Sequence, residues 1–187
     1  GMFPVRWSAD LGYGYGYPLF NFYAPFVYYL GAIITLFGFD ALIATKIKAL
    51  DITNEIEIVL LRDEDVFMSL NERVEKINSL NPDLLISLHI NHSQNRKDNG
   101  VSAYVSQQND FYEISKQKAE NLVDQLTKKY LSKREIKDAS LYVLNNSNCP
   151  GLVLELGYMT NDADRMYISG EKGQNEIAEK IMECLKK

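Results

Sequence analysis

The chain has 187 residues, a formal charge of -5 and a 46% apolar composition, enough for one full domain or a small domain with an appendage. An acidic balance with no broad basic face argues against nucleic acid as a partner. Two cysteines, Cys149 and Cys184, stand far apart with no CxxC or histidine spacing around them, which argues against a thiolate metal site and leaves a disulfide open.

Composition changes sharply along the chain. Residues 1–50 hold half of the 12 tyrosines and most of the eight phenylalanines, and residues 11–39 carry no charge. Gly12-Tyr13-Gly14-Tyr15-Gly16-Tyr17-Pro18 and Phe20-Asn21-Phe22-Tyr23-Ala24-Pro25 are turn chemistry decorated with aromatics. Residues 26–39, or 26–45 if Asp40 is tolerated, approach the roughly 20 residues of a spanning helix. The basic start and small-residue cleavage site of a secretory leader are missing. The segment resembles the luminal-loop-to-helix region of bacterial glycosyltransferase-C-type membrane proteins, which implies a membrane-derived piece. The other reading is an apolar strand and helix packed on the domain that follows. A join is expected near residues 46–55, between a segment 1–50 and a domain 51–187.

From Asp51 onward charges appear every few residues. Residues 56–61 alternate and then run apolar, as a strand does. Arg62-Asp63-Glu64-Asp65 supplies loop and N-cap candidates. Phe67, Leu70, Val74, Ile77 and Leu80 recur at three and four residues, predicting a helix with one apolar face. Asn81-Pro82 stops it. Residues 84–88 predict a buried strand closing on Ser87-Leu88-His89-Ile90-Asn91, and residues 101–105 another, after a polar loop with His92 and Gly100. A long helix is expected to bury Phe111, Ile114, Leu122, Val123, Leu126 and Tyr130, with Lys128, Lys129, Lys133 and Arg134 as its solvated end. Residues 141–144 and 152–156 read as strands. A closing helix carries Ile177, Ala178, Ile181, Met182 and Leu185. This order argues an α/β, three-layer sandwich with a mostly parallel sheet, in which ligands sit at the carboxyl ends of the strands.

The part from Ile56 to the end resembles the zinc-dependent N-acetylmuramoyl-L-alanine amidases, which cleave peptidoglycan between the lactyl group of muramic acid and L-alanine. The likeness runs through Arg62…Asp65, Leu70…Arg73…Asn78, Ser87-Leu88-His89-Ile90-Asn91 and Gly100. It continues through Lys137…Ala139…Val143-Leu144…Pro150 to Glu155-Leu156-Gly157-Tyr158…Asn161. The resemblance implies a phosphorylase/hydrolase-like sandwich, His89 as a zinc ligand, Glu155 as the catalytic glutamate, and Asn91, Arg62 and Lys137 as substrate contacts. It also implies peptidoglycan or a muropeptide as partner, zinc as cofactor and the cell envelope as location. Catalytic zinc takes three protein ligands and one open position, and a carboxylate beside it takes the proton of the attacking water.

The family's Gly-His-Gly loop and helix-start glutamate belong upstream of Ile56. No histidine occurs there, and no glutamate precedes Glu55. The first strand and helix are therefore expected to be replaced or atypical, with Lys46-Ile47-Lys48-Ala49-Leu50 as a helix tail, which leaves catalysis by this chain open. A lone strand-end histidine is also an ordinary structural residue, His92 reads as a solvated side chain, and Glu155 could pair with Arg62 or Lys137. Two other functions fit: a non-catalytic peptidoglycan-binding module, and a fusion tethered to a membrane by residues 1–50.

Overall fold

The computed structural model describes residues 7–8, 17–18, 39–50, 56–61, 68–129 and 131–186. The chain divides into two compact units, Gly1–Phe39 and Asp40–Lys187. In the first, β1 (Trp7–Ser8) and β2 (Tyr17–Pro18) pair antiparallel, with Trp7 opposite Pro18. The apolar run expected from residue 26 lies outside the described residues as far as residue 38. Among the described residues, no helix is long and apolar enough to cross a membrane.

The second unit opens within α1 (Phe39–Leu50), at its second residue. Ile43 and Ile47, one turn apart, are buried, and Lys46 Nζ donates to Asn175 Oδ1 at 2.6 Å. Residues 56–61 do not form the expected strand. No ladder joins them to a described strand, and the Leu61 carbonyl instead accepts from Lys76 Nζ at 2.7 Å. A strand exists through its partner, so an alternating pattern without one stays irregular.

Helix α2 (Leu70–Leu80) starts from a capping box rather than from the candidates at 62–65. The Ser69 hydroxyl accepts the Glu72 N–H, and the Glu72 carboxylate accepts the Ser69 N–H, satisfying two donors that a helix start leaves open. It ends at Asn81 in the left-handed conformation, φ 47°, just ahead of Pro82. Val74 and Ile77 are buried as expected, whereas Leu70 and Leu80 are exposed. The latter two sit at the helix ends, beyond the surface that the middle turns cover.

Four strands build the sheet: β3 (Leu85–Asn91), β4 (Val101–Val105), β5 (Lys133–Asp138) and β6 (Gly151–Tyr158). Their order is β3-β6-β4-β5. The β3/β6 and β4/β5 pairs are parallel and β4/β6 is antiparallel, so the sheet is mixed, with helices on both sides. Leu152, Leu154 and Leu156, at period two along β6, are each 0% exposed. Each such side chain contributes roughly 1.5–3 kcal/mol by leaving water. Val101 and Ala103 of β4 are buried with them.

Helix α3 (Tyr112–Leu126) buries Ser115, Ala119, Leu122, Val123 and Leu126, a stripe at helical spacing. Phe111 and Ile114, expected inside, are exposed, because Ile114 falls off that stripe and Phe111 is the N-cap, ahead of the first helical turn. Thr127 closes the helix, with its N–H and hydroxyl both on the Val123 carbonyl. Lys133 and Arg134, read as a solvated helix end, therefore belong to β5, paired with β4. The expected strand at 141–144 is instead part of the short helix α4 (Tyr142–Asn146), whose first turn closes when Asn145 N–H donates to the Leu141 carbonyl. No described strand pairs with those groups. Helices α5 (Asp162–Ser169) and α6 (Glu171–Leu185) finish the unit, and Ile177, Ala178, Ile181 and Met182 of α6 are buried as expected. Leu185 is only half-buried.

Candidate functional site

Strand pairing places the chemistry. His89 stands beside Glu155 in the parallel β3/β6 register, and Ser102 stands beside Glu155 on its other side, across the antiparallel β6/β4 pair. Directly opposed residues share a face of the sheet. Glu155 is therefore flanked by His89 and Ser102 on an inner strand, while the leucines either side of it face the core.

The environment of Glu155 is unusual for a carboxylate. Its Oε2 is buried with no hydrogen-bond partner among the described residues. Burial disfavours the charged form and pushes this carboxyl up from 4.5 to about 6, the desolvation effect. The alternative in which Glu155 pairs with Lys137 does not occur. Lys137 is exposed on β5 beside Tyr104, which puts all of β4 between the two side chains. Arg62, the other partner considered, lies outside the described residues.

His89 is exposed, and its Nε2 shares a hydrogen bond with Ser87 Oγ at 2.8 Å. Asn91 shapes the strand end: its carbonyl accepts from Met159 N–H and its Oδ1 from His92 N–H, both at 2.8 Å. His92 is exposed in the loop beyond, as a solvated side chain should be. His89, Asn91 and Glu155 thus share one end of the β3/β6 pair, and Lys137 lies apart from them.

The end of β6 is bent by a bulge, since the register passes from His89/Glu155 to Asn91/Tyr158. Gly157 makes the bend at φ +141°, where a Cβ would stand 2.8 Å from Ile168 Cδ1. A bulge of this kind re-aims the chain beside a site. Asp164 then locks it. Its buried Oδ2 accepts the Tyr158 N–H at 2.9 Å and the Gly100 N–H at 2.8 Å, tying the end of β6 to the start of β4. Asp164, Ser102 and Arg134 also lie around this strand end or the strands beside it, and none belongs to a motif visible in the chain. Only Asp164 left a signal, an acid three residues past the N-cap Asn161.

The family profile described as N-acetylmuramoyl-L-alanine amidase matches residues 37–187. The chain belongs to that family. The amidase LytC of Bacillus subtilis is 31% identical over 130 residues, which cover 66% of this chain and 25% of LytC. A chain from Buchnera aphidicola subsp. Baizongia pistaciae that carries the amidase name provisionally is 28% identical over 177 residues, covering 78% of this chain and 82% of its own. The crystal structure of an N-acetylmuramoyl-L-alanine amidase from Clostridium difficile 630 superposes with a TM-score of 0.72 at 26% identity, over 79% of this chain and 80% of that one. This amidase-family chain thus spans a quarter of LytC and most of the other two.

Zinc is the metal the resemblance implies, and the donor set among the described residues of this amidase-family chain does not fit it. The whole chain has two histidines. Among the described residues, no three His, Cys, Asp or Glu side chains form a group that could hold a metal. A three-ligand zinc site needs more than His89, so the chemistry below is derived from the protein groups alone.

Proposed function

We propose that the second unit is a peptidoglycan amidase domain beginning at α1, acting on the amide between the lactyl group of muramic acid and L-alanine. Glu155 is its proton carrier. The observation that supports this most is the place of Glu155: an inner strand end, His89 alongside, and a buried oxygen with no partner among the described residues. A carboxyl that titrates near 6 is divided between its two forms close to neutral pH, which suits an acid–base group. Glu155 takes a proton from the attacking water as the new C–O bond forms at the lactyl carbonyl. It returns that proton to the nitrogen as the C–N bond breaks, and the L-alanyl peptide leaves as an amine.

His89 is the residue this chain offers as a metal ligand, in keeping with the zinc chemistry of the family. Asn91 positions the strand end against Met159, and Lys137 and Arg62 are carried as substrate contacts. Relatives named as cell wall amidases favour an envelope location.

The test is release of stem peptide with a new amino-terminal alanine from purified muropeptide. Glu155→Gln keeps shape and removes the proton carrier, so release should fall to background. Undiminished release by that variant would take Glu155 out of the mechanism.

A further inference from the structure

Beside Glu155, on the side away from His89, lies a cavity of about 570 Å³ of which the proposed function uses only Lys137. That volume lies within the roughly 300–1,000 Å³ of small-ligand sites. Its lining includes Ser102, the register neighbour of Glu155, with Asn99 before β4, Tyr158 at the end of β6, and Arg134, Glu135 and Lys137 from β5.

Arg134 is held from three sides. Its Nε donates to the Asn99 carbonyl, its Nη2 reaches Asp98 Oδ1 at 3.4 Å, and its guanidinium lies 5.2 Å from the centroid of the Tyr158 ring. Tyr158 is itself fixed by the Asp164 carboxylate. These contacts leave the Nη1 donors of Arg134 uncommitted among the described residues. A planar guanidinium already fixed in place loses little freedom when it takes a carboxylate. Lys137 makes no ion pair among the described residues, whereas Lys133, which also lines the cavity, pairs with Asp124. Lys137 thus faces the cavity without an ion pair among the described residues, and Arg134, paired with Asp98 through Nη2, keeps its Nη1 donors, against one acid, Glu135.

Position fits a peptide. Lys137 lies two strands across and two residues along from Glu155, roughly 12 Å at the usual strand spacing and rise, a span that about four extended residues cover.

We propose that this cavity is a subsite for a carboxylate of the substrate's peptide, with Arg134 as its anchor and Lys137 as its second cation, so that binding there seats the amide over Glu155. This rests on the amidase reading of Glu155 and adds the anionic peptide as the feature recognised.

The test uses the full chain and two probes: a muramoyl stem peptide with a free side carboxylate, and the same peptide as its carboxamide. Affinity is followed by calorimetry or NMR titration, and hydrolysis by released peptide. The carboxylate form should bind about tenfold more tightly, the order of one charge-assisted hydrogen bond. Arg134→Gln should abolish the preference for the carboxylate probe over the carboxamide. Because Arg134 also holds the loop at Asn99, Lys137→Gln, on an exposed strand, tests the same subsite without disturbing the fold and should lose part of the preference. Equal affinity for the two probes in the wild-type chain overturns the subsite, as does a full preference in both variants. Hydrolysis without preference would keep the role of Glu155 and remove the subsite. Preference without hydrolysis would keep the subsite and remove the amidase reading.

Discussion

Strands β6 and β5 belong to one sheet and are opposite in kind. Gly151–Tyr158 is an apolar run whose leucines are sealed in the core. Lys133–Asp138 is Lys-Arg-Glu-Ile-Lys-Asp, exposed at most positions and last in the strand order. An inner strand buries both faces and must be written in apolar residues. An end strand needs only a backbone partner, and charges there also discourage pairing with other chains. The one carboxyl placed in the apolar strand, Glu155, therefore pays in desolvation what the acids of β5 do not, and that difference makes it chemically useful.

Several experiments would break or sharpen this contrast. The largest effect belongs to turnover, where Glu155→Gln should lower muropeptide hydrolysis by about 10²–10⁴-fold, the usual worth of a general acid–base group. Hydrolysis by the wild-type chain should rise with pH through about 6 as this carboxyl ionises. Next comes packing. Leu154→Ala should cost about 2–5 kcal/mol in urea denaturation, and Ile136→Ala on β5, half-buried, clearly less. Equal costs would mean that β5 carries core after all.

Asp164→Ala strips the acceptor from two buried N–H groups, at Gly100 and Tyr158, and should cost about 1–3 kcal/mol. Asp164→Asn keeps an acceptor oxygen and should recover most of that loss in the same melts.

A smaller effect is tied to pH. Glu155 titrates near 6 when folded, above the ordinary 4.5, so the folded chain keeps a proton that the unfolded chain has released. That stabilisation is complete below about pH 4.5 and is lost as pH rises through about 6. Glu155→Gln should then be about 1 kcal/mol more stable than wild type at pH 7.5, after discounting for solvent screening, with no gain at pH 4. A gain of the same size at both pH values would show that burial of charge is not the cause. Least affected should be Lys133→Gln, whose partner Asp124 is exposed like itself; its stability should stay within about 0.5 kcal/mol of wild type.

Local sequence determined the elements whose side chains alone carry the physics. The apolar run at 152–156, the 101–105 strand, the helical stripes through Val74 and Ile77 and through Leu122 and Leu126, and the closing helix are legible because burial periodicity depends on neighbours in the chain. So are His89 and Glu155 as candidates, through the motifs around them. The charged strand β5, the helix at 142–146 and the unpaired run at 56–61 were not legible. In each, the conformation was settled by whether a partner strand offered hydrogen bonds, and no residue type announces that. Adjacency came from the fold as well. Only the register of β6 between β3 and β4 places His89 and Ser102 on either side of Glu155, and only that burial leaves its oxygen without a partner among the described residues. Arg134 became a site residue in the same way, since its stacking on Tyr158 joins residues that the chain keeps far apart.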